Sequence, residues 1–124
     1  MLLDLENCCK EAKFWPHAFL CGHAHNYQRF TRNENGFDIP FIVCGNSGHN
    51  VTRLTKKGST PLRTPNQIND QLIFENYDDT NFGYLRITCD LKKLRIEYHD
   101  ADSNQKTESD VVTIDLKSHK KIAN

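Results

Sequence analysis

Along this chain the apolar positions change period once, near residue 16, from helical to alternating. Leu2, Leu5, Cys9 and Ala12, joined by Cys8, recur every three or four residues, with Asp4, Glu6, Lys10, Glu11 and Lys13 on the other side. That spacing predicts an amphipathic helix. Pro16 stops it, because the residue before a proline is driven to extended geometry, so Phe14-Trp15 bends the chain into a buried strand over residues 17–21. In that bend Trp15 reads as a core anchor and His17 as a solvated or capped histidine.

From there the pattern is that of strands and turns. Arg32-Asn33-Glu34-Asn35-Gly36 reads as a turn, with Asn-Gly supplying the positive φ of a tight hairpin, and a strand is expected on each side. Residues 39–44 are apolar on both faces, which predicts a covered, central strand with Pro40 near its start. Gly45-Asn46-Ser47-Gly48 then reads as a loop, and residues 52–71, with Lys56, Lys57, Gly58, Pro61 and Pro65 and few apolar anchors, as a long surface loop. Its Arg53, Lys56, Lys57 and Arg63 suit either a phosphate-attracting lid or a solvated insertion. Leu72-Ile73-Phe74 is expected as a short strand and residues 76–81 as an acidic turn in which Asp78 and Asp79 serve the turn. Leu85, Ile87 and Cys89, then Leu94, Ile96 and Tyr98, alternate with polar residues and predict a hairpin joined by residues 90–93, with one apolar face buried. A loop at 102–106 leads to a last strand over 111–116, and a polar tail over 118–124 is expected to fray.

Composition narrows the class without naming a partner. At 124 residues the chain suffices for one small domain, and its hydrophobic share, 37%, suits a core partly shared with other sequence. Sixteen basic residues cancel sixteen acidic ones, so nothing argues for nucleic acid or an anionic membrane surface, and any anion must be held by a local site. No stretch is long and apolar enough to span a membrane, and the amino terminus has no secretory pattern. Five cysteines, an odd number without Cys-x-x-Cys spacing, suggest neither a disulfide framework nor a cysteine zinc site and favour a reducing, cytoplasmic setting, with export of a longer parent left open.

Candidate chemistry gathers at Gly22-His23-Ala24-His25. In extended backbone, side chains two apart share a face, so His23 and His25 would present two imidazoles to one place, a metal-site geometry. The same pair at a strand end is also a common surface feature, and spacing alone leaves both readings open. Asn26, Tyr27, Gln28 and Arg29 come next, polar groups suited to orienting ligands or meeting an anion.

Gly22-His23-Ala24-His25 resembles the last metal-binding motif, Gly-His-x-His, of the calcineurin-like metallophosphoesterases, and Asn26-Tyr27-Gln28-Arg29 is similar to the segment after that motif in their purple-acid-phosphatase-like branch. Ile39 to His49 resembles that branch's next strand and glycine-rich turn, and Phe82-Gly83-Tyr84-Leu85-Arg86-Ile87 its returning strand. The resemblance covers roughly residues 15–116. It implies an α+β fold, one N-terminal helix and a mainly antiparallel sheet belonging to a four-layer α/β/β/α sandwich, with residues 1–117 as the C-terminal part of the domain. It further implies hydrolysis of a phosphate ester at two metal ions (Fe, Zn or Mn, divalent or mixed-valence), with His23 on one and His25 on the other. Asn26, Arg29, Asn46 and His49 become candidates for contacting substrate or orienting the imidazoles. Arg29, beyond the ligands, is expected to anchor the loop through a carboxylate.

The family's earlier motifs, Asp-x-His, Gly-Asp-x-x-Asp, Gly-Asn-His and a further lone histidine, do not occur here. The expectation is therefore a fragment with no catalytic residue of its own, inactive alone, whose missing N-terminal half supplies the remaining ligands. One rival is a β-rich binding module that keeps the motif as structure. Another is a single zinc site made by His23, His25 and a distant His49 or His99. No phosphate-binding loop and no nucleophilic serine elbow competes with these.

Overall fold

The computed structural model describes residues 2–101 and 107–124; the loop expected at 102–106 lies outside them. Among the described residues the fold is α+β, one short helix followed by nine strands in two mainly antiparallel sheets. Helix α1 runs Leu2–Ala12. It ends at Lys13, whose φ of 52° puts it in the left-handed region while Phe14 N–H donates back to the Cys9 carbonyl, a terminus that satisfies carbonyls the helix leaves open.

The first sheet holds β1 (Phe19–Cys21), β2 (Tyr27–Glu34), β3 (Phe37–Cys44), β4 (Asn66–Asn69) and β5 (Leu72–Asp78), in the spatial order β1-β3-β2-β5-β4. Only β1 against β3 is parallel. The second sheet is β6 (Gly83–Cys89), β7 (Lys93–Asp100), β8 (Asp110–Asp115) and β9 (Lys120–Ile122), in sequence order. Tyr27 and Ile42 from the first sheet meet Ile96, Tyr98, Val112 and Ile114 from the second, and this is the core. At its centre the Tyr27 and Tyr98 rings stack with centroids 3.9 Å apart, an aromatic pair worth about 1 kcal/mol beyond its buried area.

The opposite face of the first sheet carries a row of rings across four strands. Phe19 stacks on Phe41 at 4.5 Å, Phe41 lies opposite Phe30 in the ladder, and Phe30 stacks on Phe74 at 4.7 Å. Helix α1 does not cover this row. It is tied down through Glu6, whose carboxylate accepts from the Arg32 guanidinium, while Arg32 lies over buried Trp15. Between helix and sheet remains a groove of about 610 Å³ lined by Glu6, Phe19, Phe30, Arg32, Phe41 and Leu72, among others.

Several expectations change. The hairpin turn is only Asn35-Gly36, both at positive φ (52° and 81°); Arg32, Asn33 and Glu34 belong to β2, since two residues with positive φ already match the twist of the flanking strands. Strand β1 is short and exposed at Leu20 and Cys21, an edge rather than a buried strand, while β3 beside it is paired on both sides and has no exposed residue, the covered interior strand expected. Within the expected long loop, residues 66–69 form β4, because a strand pairs through its backbone whatever its side chains. Residues 76–78 extend β5 past a bulge at Glu75, whose carboxylate takes the Thr31 hydroxyl and the Lys121 ammonium. On β7 both faces are buried, Glu97 under Arg86 and Arg95 and His99 against Tyr84, while Ile87 on β6 is 48% exposed.

The tail over 118–124 does not fray. The Asp115 carboxylate accepts from the Lys117 and Ser118 N–H groups and the Ser118 hydroxyl, His119 turns at φ 56°, and β9 pairs with β8. Asp38 locks the turn from the other sheet, donating its N–H to the His119 carbonyl and accepting the Lys121 N–H. His17 caps the same corner. Its ring N–H reaches the Leu116 carbonyl at 3.0 Å, and its ring lies 3.6 Å from that of His119.

Candidate functional site

Parallel strands β1 and β3 end side by side, and the segments leaving them, 22–26 and 45–52, meet beyond their carboxyl ends. The chain is not extended through the motif. Ala24 N–H donates to the Gly22 carbonyl at 3.0 Å and Asn26 N–H to the Ala24 carbonyl at 2.8 Å, so two three-residue turns run one after the other, centred on His23 and His25. His23 takes φ 73°, a conformation that costs a residue with a Cβ about 1–3 kcal/mol. The shared face that extended geometry predicted for the two imidazoles therefore does not apply, and of the two rings it is His25 that meets another histidine, His49.

The 45–52 segment clamps that turn. Thr52 N–H donates to the His25 carbonyl at 2.8 Å, the Asn26 side-chain amide donates to the Thr52 carbonyl at 3.0 Å, and Gly45 N–H donates to the Asn26 carbonyl at 3.2 Å. Gly45 has no room for a side chain because the Ala24 carbonyl fills the space a Cβ would take. Asn26 is buried, and its side-chain oxygen accepts from the Gln28 amide at 2.8 Å. Asn26 and Gln28 thus hold the turn together rather than orienting an imidazole, which corrects the role expected of them.

Arg29 points into the sandwich. Its Nε and Nη2 donate to the two Asp110 oxygens at 2.7 and 2.9 Å, and the Tyr27 hydroxyl donates to the same carboxylate at 2.7 Å, which leaves no guanidinium face for a substrate. Burial first and the Asp110 charge second push the Tyr27 hydroxyl well above its usual pKa, so it stays a donor. Asn46 is buried as well. Its amide donates to the Asn81 carbonyl at 2.9 Å and the Tyr98 hydroxyl at 2.8 Å, and Tyr98 donates on to Asp78 at 3.0 Å. A substrate contact by Asn46 is excluded by this inward placement. Burial opposes ionisation of Asp78, yet the Thr80 N–H, the Asn81 amide and the Tyr98 hydroxyl hold its carboxyl below the usual range. Asp79 accepts the Leu54 N–H at 2.8 Å, which pins the segment after His49.

His49 is the candidate that the fold brings to the motif, its ring centroid 4.1 Å from that of His25. His23 is exposed and His25 half-buried, and among the described residues none of these three rings has a hydrogen-bond partner in the chain. His99 lies in the second sheet, stacked on Tyr84 at 5.2 Å, so it cannot complete a site with His23 and His25. Among the described residues no group of three or more His, Cys, Asp or Glu side chains is placed to hold a metal ion. The donors at the motif are imidazoles without a carboxylate, a set that fits one wall of a metal centre and not the whole.

The need for glycine at 45 escaped the sequence, and the meeting of His25 with His49, 24 positions apart, stood there only as one reading among several. The signal for both was the pair of loops leaving parallel neighbours, which requires knowing the pairing. Compared with known proteins, the chain matches no family pattern, no curated protein and no solved structure.

Proposed function

We propose that this chain contributes one wall of a two-metal phosphoesterase centre, with His23 and His25 as its ligands and a phosphate ester as substrate. The observation that carries the reading is the φ of 73° at His23. An exposed residue whose ring has no hydrogen-bond partner among the described residues is held in a costly conformation by a clamped turn, and such conformations cluster where a ligand needs a side chain aimed. The position supports it, since ligands in sheets with parallel strands bind beyond the strands' carboxyl ends.

Paired Fe, Zn or Mn ions would neutralise phosphoryl oxygens and acidify an attacking water, chemistry that needs carboxylate ligands besides imidazoles. Those carboxylates belong to further polypeptide. Among the described residues the outer edge of β1 is unpaired, Leu20 on it is 47% exposed, and Phe19, Phe30 and Phe41 of the aromatic row line the groove, so a strand and helices of a larger α/β/β/α sandwich have a surface to pack on. In this reading the chain's own groups aim imidazoles and hold the loops, and no residue of the chain moves a proton.

The test is hydrolysis of a nitrophenyl phosphate by the 124-residue chain and by the product of its locus read in frame upstream. Chelator-sensitive turnover by the longer product alone is expected. Robust turnover by the 124-residue chain overturns the one-wall assignment, and a longer product without metal-dependent turnover overturns the phosphoesterase. One observation favours the rival binding module: the core between the two sheets is closed by this chain's own residues. An upstream sequence without carboxylate motifs would decide for it.

A further inference from the structure

We propose that His49 is a third imidazole of this site, sharing with His25 a single divalent transition-metal ion, so that the 45–52 segment belongs to the metal centre. This rests on the metal-site reading above and deepens it, since the motif by itself pairs His25 with His23. Three observations carry it. The His25 and His49 rings are 4.1 Å apart and tilted by 40°, whereas His23 makes no ring contact among the described residues. Two imidazoles bound side by side to one ion, each nitrogen about 2 Å from it, have ring centres roughly 4.5–5 Å apart, so a small opening of the pair admits an ion.

The spacing is set by backbone rather than by free side chains. Thr52 N–H on the His25 carbonyl, Asn26 on the Thr52 carbonyl and Gly45 against Ala24 tie the His49 segment to the His25 turn on both sides of the pair. A ligand pair so held loses little entropy on binding. Finally, neutral imidazole is a ligand suited to zinc-class ions, and among the described residues neither ring is spent on a hydrogen bond. Water completes the coordination, and the ion is exchangeable because two protein ligands fall short of the four of a structural zinc site.

The experiment is a Zn2+ titration of the full chain followed by the histidine ring signals in NMR, with His25→Gln, His49→Gln, His23→Gln and His119→Gln variants, each checked for a retained sheet spectrum. Expected is a saturable one-to-one isotherm in which His25 and His49 shift together. The His49→Gln and His25→Gln changes should each weaken binding at least about tenfold, and the His23→Gln and His119→Gln changes by less than about threefold. If His49→Gln binds like the parent, or if the parent does not bind Zn2+, the inference is overturned. Neither result touches the hydrolysis test of the longer product, so the two readings fail separately. His49→Asn, which keeps the loop polar, serves if His49→Gln does not fold.

Discussion

Gly45 packs its bare Cα against the carbonyl of Ala24, the residue between the two imidazoles of the motif. Through that contact the end of β3 sets the height of the His23-Ala24-His25 turn, and Gly45 N–H on the Asn26 carbonyl repeats the tie one residue further on.

Replacing Gly45 by alanine should therefore act on the turn before it acts on the core. The obstacle is backbone, which cannot swing away like a side chain, so about 1–3 kcal/mol of stability should be lost. Urea unfolding measures that loss, and the Zn2+ titration should show weaker binding in the fraction still folded. An unchanged urea midpoint would mean that the two segments do not press on each other.

Tyr98 stands in a similar relation to Gly83, its ring occupying the space a side chain there would need. Its hydroxyl joins Asn46 to Asp78. Tyr98→Phe keeps the ring stack on Tyr27 and removes one hydrogen-bond partner each from Asn46 and Asp78, which keep their bonds to Asn81 and Thr80, at a cost of about 1–3 kcal/mol read from the urea midpoint. Gly83→Ala should cost more, because it expels the ring itself.

The Arg29–Asp110 pair is buried on both sides and bonded at two points. Arg29→Ala leaves the Asp110 carboxylate, the Tyr27 hydroxyl's acceptor, without its counter-charge and should destabilise the chain by about 3–5 kcal/mol. Arg29→Met with Asp110→Leu should recover much of that loss, as a two-by-two mutant cycle would report. Such recovery identifies the pair as a scaffold rather than a substrate contact.

Acid should weaken the second sheet through Glu97. Hydrogen bonds from Arg86 lower its carboxyl to about 2, against the opposing effect of desolvation, with Arg95 adding to the shift. A carboxyl lowered by folding contributes stability that is complete above its unfolded value of 4.5 and disappears as the pH falls toward 2. The gap in urea midpoint between the parent and Glu97→Gln should close over that window.

The corner made by His17 and His119 should respond at milder pH. Burial, and then the neighbouring His17, lower the pKa of His119 below its ordinary 6.5. Folding thus favours the neutral ring, and its contribution, full above 6.5, is lost as the pH falls through the lowered value. Amide exchange in β9, corrected for intrinsic rate, should be faster at about pH 5 than at about pH 7. His119→Phe should remove the difference, while Asp38, which bonds the same turn, and Lys120 nearby stay in place.

What the sequence determined by itself was local. The helical period of residues 2–12, the Asn35-Gly36 turn, the alternation in β6 and β7 and the two histidines flanking Ala24 could all be read from a few neighbouring residues, because turn chemistry and side-chain period act over that range. Tertiary structure decided which strands pair, that β1 is an exposed parallel edge, and that the polar tail folds back as β9. It turned Asn46 and Arg29 inward, bent the motif at His23 instead of extending it, and set His49 against His25. Each of these depends on partners tens of residues away, on Asp110 for Arg29 and Tyr98 for Asn46, and on carbonyls such as that of Ala24. The free energy of burying a polar side chain is settled by whether such a partner arrives, and no local spacing of residues records its arrival.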